Sequence, residues 1–370
     1  IEDYKAEALP VGEATFWFVG RNNDQLPTTE PYFALIDESS KLNLNTATRG
    51  MLEALPGMTP EVADAILSWR SANAQNAAAA DNTYAQLDPP RRNKAGTFET
   101  IDELRLVDGA TLEILLGEDT NRNGVLDANE DDGETTAPRD NQDGQLLAGI
   151  LEHVTVYSRL PATSANGGRR INIRTPQSRQ PQQIRQRLTQ RGIEAQRVVQ
   201  IMQRIGDQES YGSLMDFMLD TDMTAEEWAL VHTDFTATTS TNGTQTGLVN
   251  VNTASETVLA CIPGIGLENA STITAYRLSH PDVLTSFAWL KEVLTPADAR
   301  RAGPYITDQS YQFSADIAAV GNNGRGYCRE KVVIDMSTGT PRIAYRQDLT
   351  AAGWSLGVEA RQTSRIAKNN

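Results

Sequence analysis

From Leu42 to Arg70 the chain reads LNLNTATRGMLEALPGMTPEVADAILSWR, and from Val249 to Arg277 it reads VNVNTASETVLACIPGIGLENASTITAYR. Apolar and polar positions coincide at a constant offset of 207 residues, without a gap. Eleven of the 29 pairs are identical and seven others exchange one apolar residue for another, so the segments are two copies of one unit. Each copy predicts two short helices joined by a tight turn. In the second, Thr253 is placed to cap the first helix and Glu256 to complete a capping box; the first copy keeps the cap at Thr46. Pro56-Gly57 and Pro263-Gly264-Ile265-Gly266 stop that helix and supply left-handed backbone freedom. Val62, Ala63, Ile66 and Trp69 then recur at helical spacing, so the second helix packs back on the first. The pattern is that of a helix-hairpin-helix unit of the SAM-like kind.

A third, worn copy follows INIRTP, Ile171 to Pro176. Ile184 and Leu188 form one apolar stripe, Gly192 breaks the helix, and Val198, Ile201, Met202 and Ile205 restart it. Each copy is followed by a short apolar helix: Phe98, Ile101 and Leu104; Tyr211 and Leu214; Phe287, Leu290 and Val293. The ends of the chain alternate instead. Residues 13–20 and 31–37 predict a β-hairpin around Asn22-Asn23-Asp24, and His153 lies in EHVTVYSR, which reads as a strand. Tyr311, Phe313, Ala315, Ile317 and Ala319 alternate, and CREKVVIDM and PRIAYRQD add two strands after the GNNGRG turn. Segments 71–97, 131–145 and 237–247 lack a period and read as loops. The expected fold is α+β: first strands within 1–40, a helical insertion over 41–302 with repeats at 41–107, 170–235 and 248–296, and closing strands over 303–370.

Charge then narrows the use of the repeats. Such hairpins often hold nucleic acid, because the glycine turn aims backbone N–H groups at a phosphate. Here Gly57-Met58-Thr59 lacks the second glycine, Glu61 and Glu268 open the second helices, Asp64 adds another acid, and the 370 residues carry a net charge of −15. These signs favour a structural or protein-docking role. Against them stand nine arginines between Arg169 and Arg204 with one acid, Glu194, read as a solvated helical face that offsets acidic neighbours.

The sharpest chemical pattern is DTNRNGVLDANE, residues 119–130. Asp119, Asn121, Asn123, the Val125 carbonyl, Asp127 and Glu130 occupy the ligand positions of a twelve-residue Ca²⁺ loop, with Gly124 at its bend. A helix enters through TLEILLG, but Asp131-Asp132-Gly133 leads into a loop where an exiting helix would stand. Asp140 and Asp143 before Gly144 make a second, incomplete pattern. No catalytic residues are nominated: His153, His232 and His280 fit no nucleophile or zinc pattern, and glycine-rich phosphate loops are missing. Cys261 falls on an apolar helix position and reads as a buried thiol, while the sequence leaves open a disulfide with Cys328. No run of eighteen apolar residues and no signal peptide occurs; a start at Ile1, followed by the helix-compatible stretch IEDYKAEA, reads as an ectodomain trimmed from something longer.

DESSKLNLNTA (Asp37 to Ala47), with LEALPG and AILSWR after it, resembles the general secretion pathway protein K family, the large minor pseudopilins of type II secretion; LVNVNTASETVLACIPGIG resembles that family's later repeat. The resemblance implies a pilin-like antiparallel sheet with a large inserted helical domain, behind an N-terminal hydrophobic helix that this chain lacks. It also implies a non-enzymatic subunit at the tip of a periplasmic pseudopilus, anchored in the inner membrane of a Gram-negative type envelope. Minor pseudopilins I and J are the implied partners, secreted substrate is a further candidate, nucleic acid is not expected, and calcium sites are known in the family. A helix-hairpin-helix DNA-binding protein of a DNA-uptake system is the alternative, and salt-sensitive binding through the 169–204 arginines would favour it.

Overall fold

Period-two alternation at the C-terminal end becomes the longest strand, Gln312–Gly321, and in the computed structural model it is the spine of a six-stranded antiparallel sheet. The structure describes residues 5–22, 30–73, 81–164, 167–174, 181–206, 210–321, 324–357 and 360. Tyr327–Asp335 pairs on one side of the spine and Arg342–Asp348 pairs beyond it. On the other side lie Ala14–Phe18, opposite residues 317–321, and Ile36–Asp37, opposite 313–314. The expected hairpin between 13–20 and 31–37 is therefore replaced by two strands laid end to end along one partner, joined by a single Val19–Phe33 bridge. Asp37 explains the placement. Its carboxylate accepts bonds from Ser310, Thr253 and Asn250, which hold the Ile36–Asp37 strand beside the helical region.

The start of the chain also differs from expectation. Residues 1–4 lie outside the described part, residues 5–8 are not helical, and Leu9–Val11 pairs with Ala14–Phe18 as the sheet's edge hairpin. EHVTVYSR is not a full strand. His153 ends the helical turn Ile150–His153, Val154–Thr155 is extended, and Arg159 begins a separate short strand, Arg159–Leu160. Residues 81–85 of the expected first loop form a helical turn that buries Tyr84.

Between the sheet's two sets of strands, three segments are built alike. Leu42–Asn43 pairs in parallel with Val154–Thr155, Ile171–Asn172 with Phe235–Thr236, and Val249–Asn250 with Ile306–Thr307. In each, the next residue donates its N–H into the partner strand: Leu44 to Thr155, Ile173 to Thr236, Val251 to Thr307. The asparagine of each opening strand turns the chain the same way. Oδ1 of Asn43, Asn172 and Asn250 accepts the backbone N–H two residues on, at 2.9, 3.0 and 3.0 Å. A pair of helices follows each turn: Arg49–Glu53 with Pro60–Arg70, Pro181–Gln190 with Ala195–Ile205, and Glu256–Ala260 with Gly266–Ser279. The caps of the first and third pairs stand two residues beyond the expected Thr46 and Thr253. Thr48 accepts from Met51 and Ser255 from Val258, so Glu256 begins its helix instead of closing a capping box. Thr46 and Thr253 are spent on the Asn43 carbonyl and the Asp37 carboxylate. Val62, Ala63, Ile66 and Trp69 are all buried, in one apolar core shared by the three segments.

Candidate metal loop and its buried support

The loop starts where the helix Leu112–Leu116, capped by Thr111, is broken by Gly117. Alternating short acceptors then fold residues 119–130 on themselves. Asp119 accepts from the N–H groups of Asn123 and Gly124 at 2.9 Å each, Asn121 from Asn123, and Asn123 from Val125 at 2.8 Å. Gly124, at φ +77°, makes the bend. Glu130 reaches back across the loop. Its Oε1 accepts from Thr120 and Asn121 and its Oε2 from Asp127. Asp119, Asn121, Asn123, Val125 and Glu130 are buried together, so every position expected to supply a ligand, Asp127 included, belongs to one folded turn. No helix follows Glu130 before Ile150, which agrees with the loop read from the sequence.

The donor set is oxygen-rich and carboxylate-poor. No three His, Cys, Asp or Glu side chains among the described residues stand close enough to hold an ion by themselves. A cation here would depend on the Asn121 and Asn123 carboxamides and the Val125 carbonyl as much as on Asp119, Asp127 and Glu130, which is the hard-oxygen chemistry of Ca²⁺. Asn121 and Asn123 direct their amide nitrogens at Asp127 Oδ2, at 2.6 and 3.0 Å. Burial pushes the Asp119 and Glu130 carboxyls above the usual carboxylate range; Arg21 opposes this at Asp119, as hydrogen bonds from Thr120 do at Glu130. Asp140 and Asp143, the weaker candidates, are spent locally: Asp140 caps Asp132, Gly133 and Gln142, and Asp143 caps Gln145.

Under the loop lies a layer of charge that the sequence reading did not single out. Arg329, fully buried, grips Asp316 bidentately at 2.8 and 2.7 Å and donates to the carbonyls of Asn121 and Arg122. Arg21 joins Glu152 at 2.9 Å and approaches Asp119 at 3.8 Å. Burial alone would raise the Glu152 carboxyl, but Arg21, Lys41 and His153 outweigh it and hold the group at about 2. Glu38 faces Lys331 and accepts from Thr155 and Ser314. A signal for these groups exists in the alternation. Arg329, Lys331 and Asp335 share the phase of buried Val333, and Gln312, Ser314 and Asp316 that of Ala318 and Val320. The polar phase of the spine is thus its fully buried one, while Tyr311, Phe313, Ile317 and Ala319 are half-buried; of the expected apolar series only Ala315 is buried.

The arginine-rich stretch is largely consumed inside the molecule. Arg187 and Arg191 both pair with buried Asp234, Arg197 with Glu227 and Arg204 with Asp222, while Arg170 bonds Gln309 and Tyr311. Arg179 lies outside the described residues. The histidines have separate partners: His232 bonds Asp308, His280 stacks on Tyr276, and His153 faces Glu152 and Lys41 electrostatically. Cys261 is buried and Cys328 exposed, and both are free thiols; burial pushes Cys261 up to about 12. No helix among the described residues is long and apolar enough to cross a membrane.

These features define an α+β protein whose charged inner sheet face supports the turn over residues 119–130. Residues 34–116, from the Ile36–Asp37 strand through the first helix pair to the helix that leads into the loop, match the family model of the type II secretion system (T2SS), protein K. No curated protein matches the chain.

Proposed function

We propose that the protein is a non-enzymatic minor pseudopilin that caps the tip of a type II secretion pseudopilus, on the periplasmic side of the inner membrane. The observation that carries this reading is the protein K match over residues 34–116. The sheet supports its pilin-like part. Phe18 opposes Ile317 and Phe313 opposes Ile334, all four half-buried, so that face is apolar yet only half covered around buried Ala315, the character expected where a hydrophobic N-terminal helix lies in a pilin. In this reading the strands within 1–40 and 303–370 form the pilin-like part and 41–302 the insertion, with its three helix-hairpin-helix units each closed by a parallel ladder. The insertion adds a bulk on one side that stops further subunit addition and presents surface to minor pseudopilins I and J, and to secreted substrate. Ca²⁺, held by Asp119, Asn121, Asn123, Val125, Asp127 and Glu130, would staple an acidic loop that otherwise repels itself.

Two measurements test the two halves of the reading. Mixed with minor pseudopilins I and J, the protein should elute from size exclusion as one stoichiometric complex; separate elution across several salt concentrations counts against the tip role. Calcium at about a hundred times its Kd should add about 2.7 kcal/mol of stability, and Asp119→Ala and Glu130→Ala should remove the gain. A melting temperature indifferent to calcium sinks the metal assignment alone. The DNA-uptake alternative needs free cations, and the pairing of Arg187, Arg191, Arg197 and Arg204 leaves it less support.

A further inference from the structure

A cavity of about 250 Å³ opens beside the loop, between the first and third repeat segments and the start of the sheet. Its walls are mainly apolar, from Ile36, Leu146, Leu147 and Val258. Four charged side chains also line it, and three of them are joined to one another: Arg21 to Glu152 and to Asp119. The fourth is Lys41. It is only 6 % exposed, and no hydrogen-bond acceptor or ion-pair partner among the described residues reaches its ammonium. Glu38 and Glu152 feel its field, but neither comes within ion-pair distance. His153, 7 % exposed, lines the same cavity and likewise has no hydrogen-bond partner among the described residues. Neither the Lys41 ammonium nor the His153 ring nitrogens are among the fully buried unpartnered atoms, so both keep access to the cavity, where a bound acceptor would give them the partner the protein does not.

We propose that this cavity binds a small carboxylate with an apolar body of about six carbons, a size suited to a site of this volume. The carboxylate takes the Lys41 ammonium, His153 hydrogen-bonds its second oxygen, and the chain lies along Ile36, Leu146 and Val258. An anion is favoured over a cation because the carboxylates in the wall are already held by Arg21 and by the loop's backbone N–H groups. Leu147, 53 % exposed, stands at the rim, so the ligand enters past it. The ligand would tie together the sheet, the first repeat and the third. The inference does not depend on assembly into a pseudopilus.

Calorimetric titration of the full chain with hexanoate and with 1-hexanol, in one calcium-containing buffer, tests it. Hexanoate should bind saturably and at least about tenfold more tightly than the alcohol, the scale of one charge-assisted hydrogen bond. Lys41→Met should erase that preference while leaving hexanol unaffected, and Leu147→Trp, a change at an exposed position, should weaken both by narrowing the mouth. Equal affinity for acid and alcohol, no saturation by hexanoate, or a preference that survives Lys41→Met would each overturn the proposal. Should Lys41→Met fail to fold by circular dichroism, the acid-to-alcohol ratio in the unaltered protein and the Leu147→Trp titration still decide.

Discussion

His153 shows how a residue with no catalytic pattern acquires a physical consequence from burial. Desolvation lowers its pKa from 6.5 to about 4; Lys41 and Arg21 reinforce the shift and Glu152 opposes it. The folded state therefore favours the neutral ring. As pH falls below 6.5 the unfolded chain takes up the proton first, so stability declines until the folded ring protonates near 4. Over that window the loss amounts to roughly 3 kcal/mol. His153→Gln should flatten the dependence of the urea midpoint on pH between 4 and 6.5, relative to the unaltered protein; parallel profiles would show that the ring is not the titrating group. Glu152 acts in the same sense at lower pH. Its depressed carboxyl contributes stability that is fully present above 4.5 and is lost progressively as pH falls from there to about 2, taking over where the His153 window ends.

At the scale of elements, the repeats are alike in sequence but not in what surrounds their turns. Gly57 and Gly264 occupy matching positions at φ +65° and +90°. A Cβ on Gly57 would meet nothing within 4 Å, whereas one on Gly264 would come within 2.4 Å of the Asp298 carbonyl oxygen and 2.9 Å of the Ala302 nitrogen. Gly57→Ala should accordingly cost about 1 kcal/mol of backbone strain, and Gly264→Ala about 3 kcal/mol, because the helix Pro296–Ala302 must also move. Equal urea midpoints for the two variants would contradict this. The same contrast shows what the sequence carried. Helix pairs and their breaks were legible because apolar spacing and Pro-Gly turns act locally. The caps were read two residues early because Asn43 and Asn250 first make an extra turn, and Thr253 is drawn off by Asp37, a partner 216 residues away. The parallel ladders that close each segment are two residues long and join positions 57 to 112 apart, too short and too distant to leave a pattern.

For the whole molecule, the decisive contacts are those by which the sheet holds the helical region, and these are polar. Asp37 ties its strand to Asn250, Thr253 and Ser310, Glu38 faces Lys331, and Arg329 joins the sheet to the loop. That residues 119–130 form one turn was readable because its pattern is written in consecutive residues; their support was not, because Arg21, Glu152, Asp316 and Arg329 come from four separated segments. Arg329 offers the sharpest test of this seam. Arg329→Met removes a bidentate bond to Asp316 and the donors to the Asn121 and Arg122 carbonyls, leaving a buried carboxylate alone. Breaking such a pair from one side costs about 3 to 5 kcal/mol. The calcium-induced gain proposed for the loop should shrink with it, since two of the loop's carbonyls lose their anchor. Adding Asp316→Leu should recover part of the stability, because no lone charge then remains in the sheet's inner face, but it should leave the calcium response reduced. A double variant as unstable as the sum of the two singles would show that Arg329 and Asp316 act independently, and that the seam is not the joint between sheet and loop.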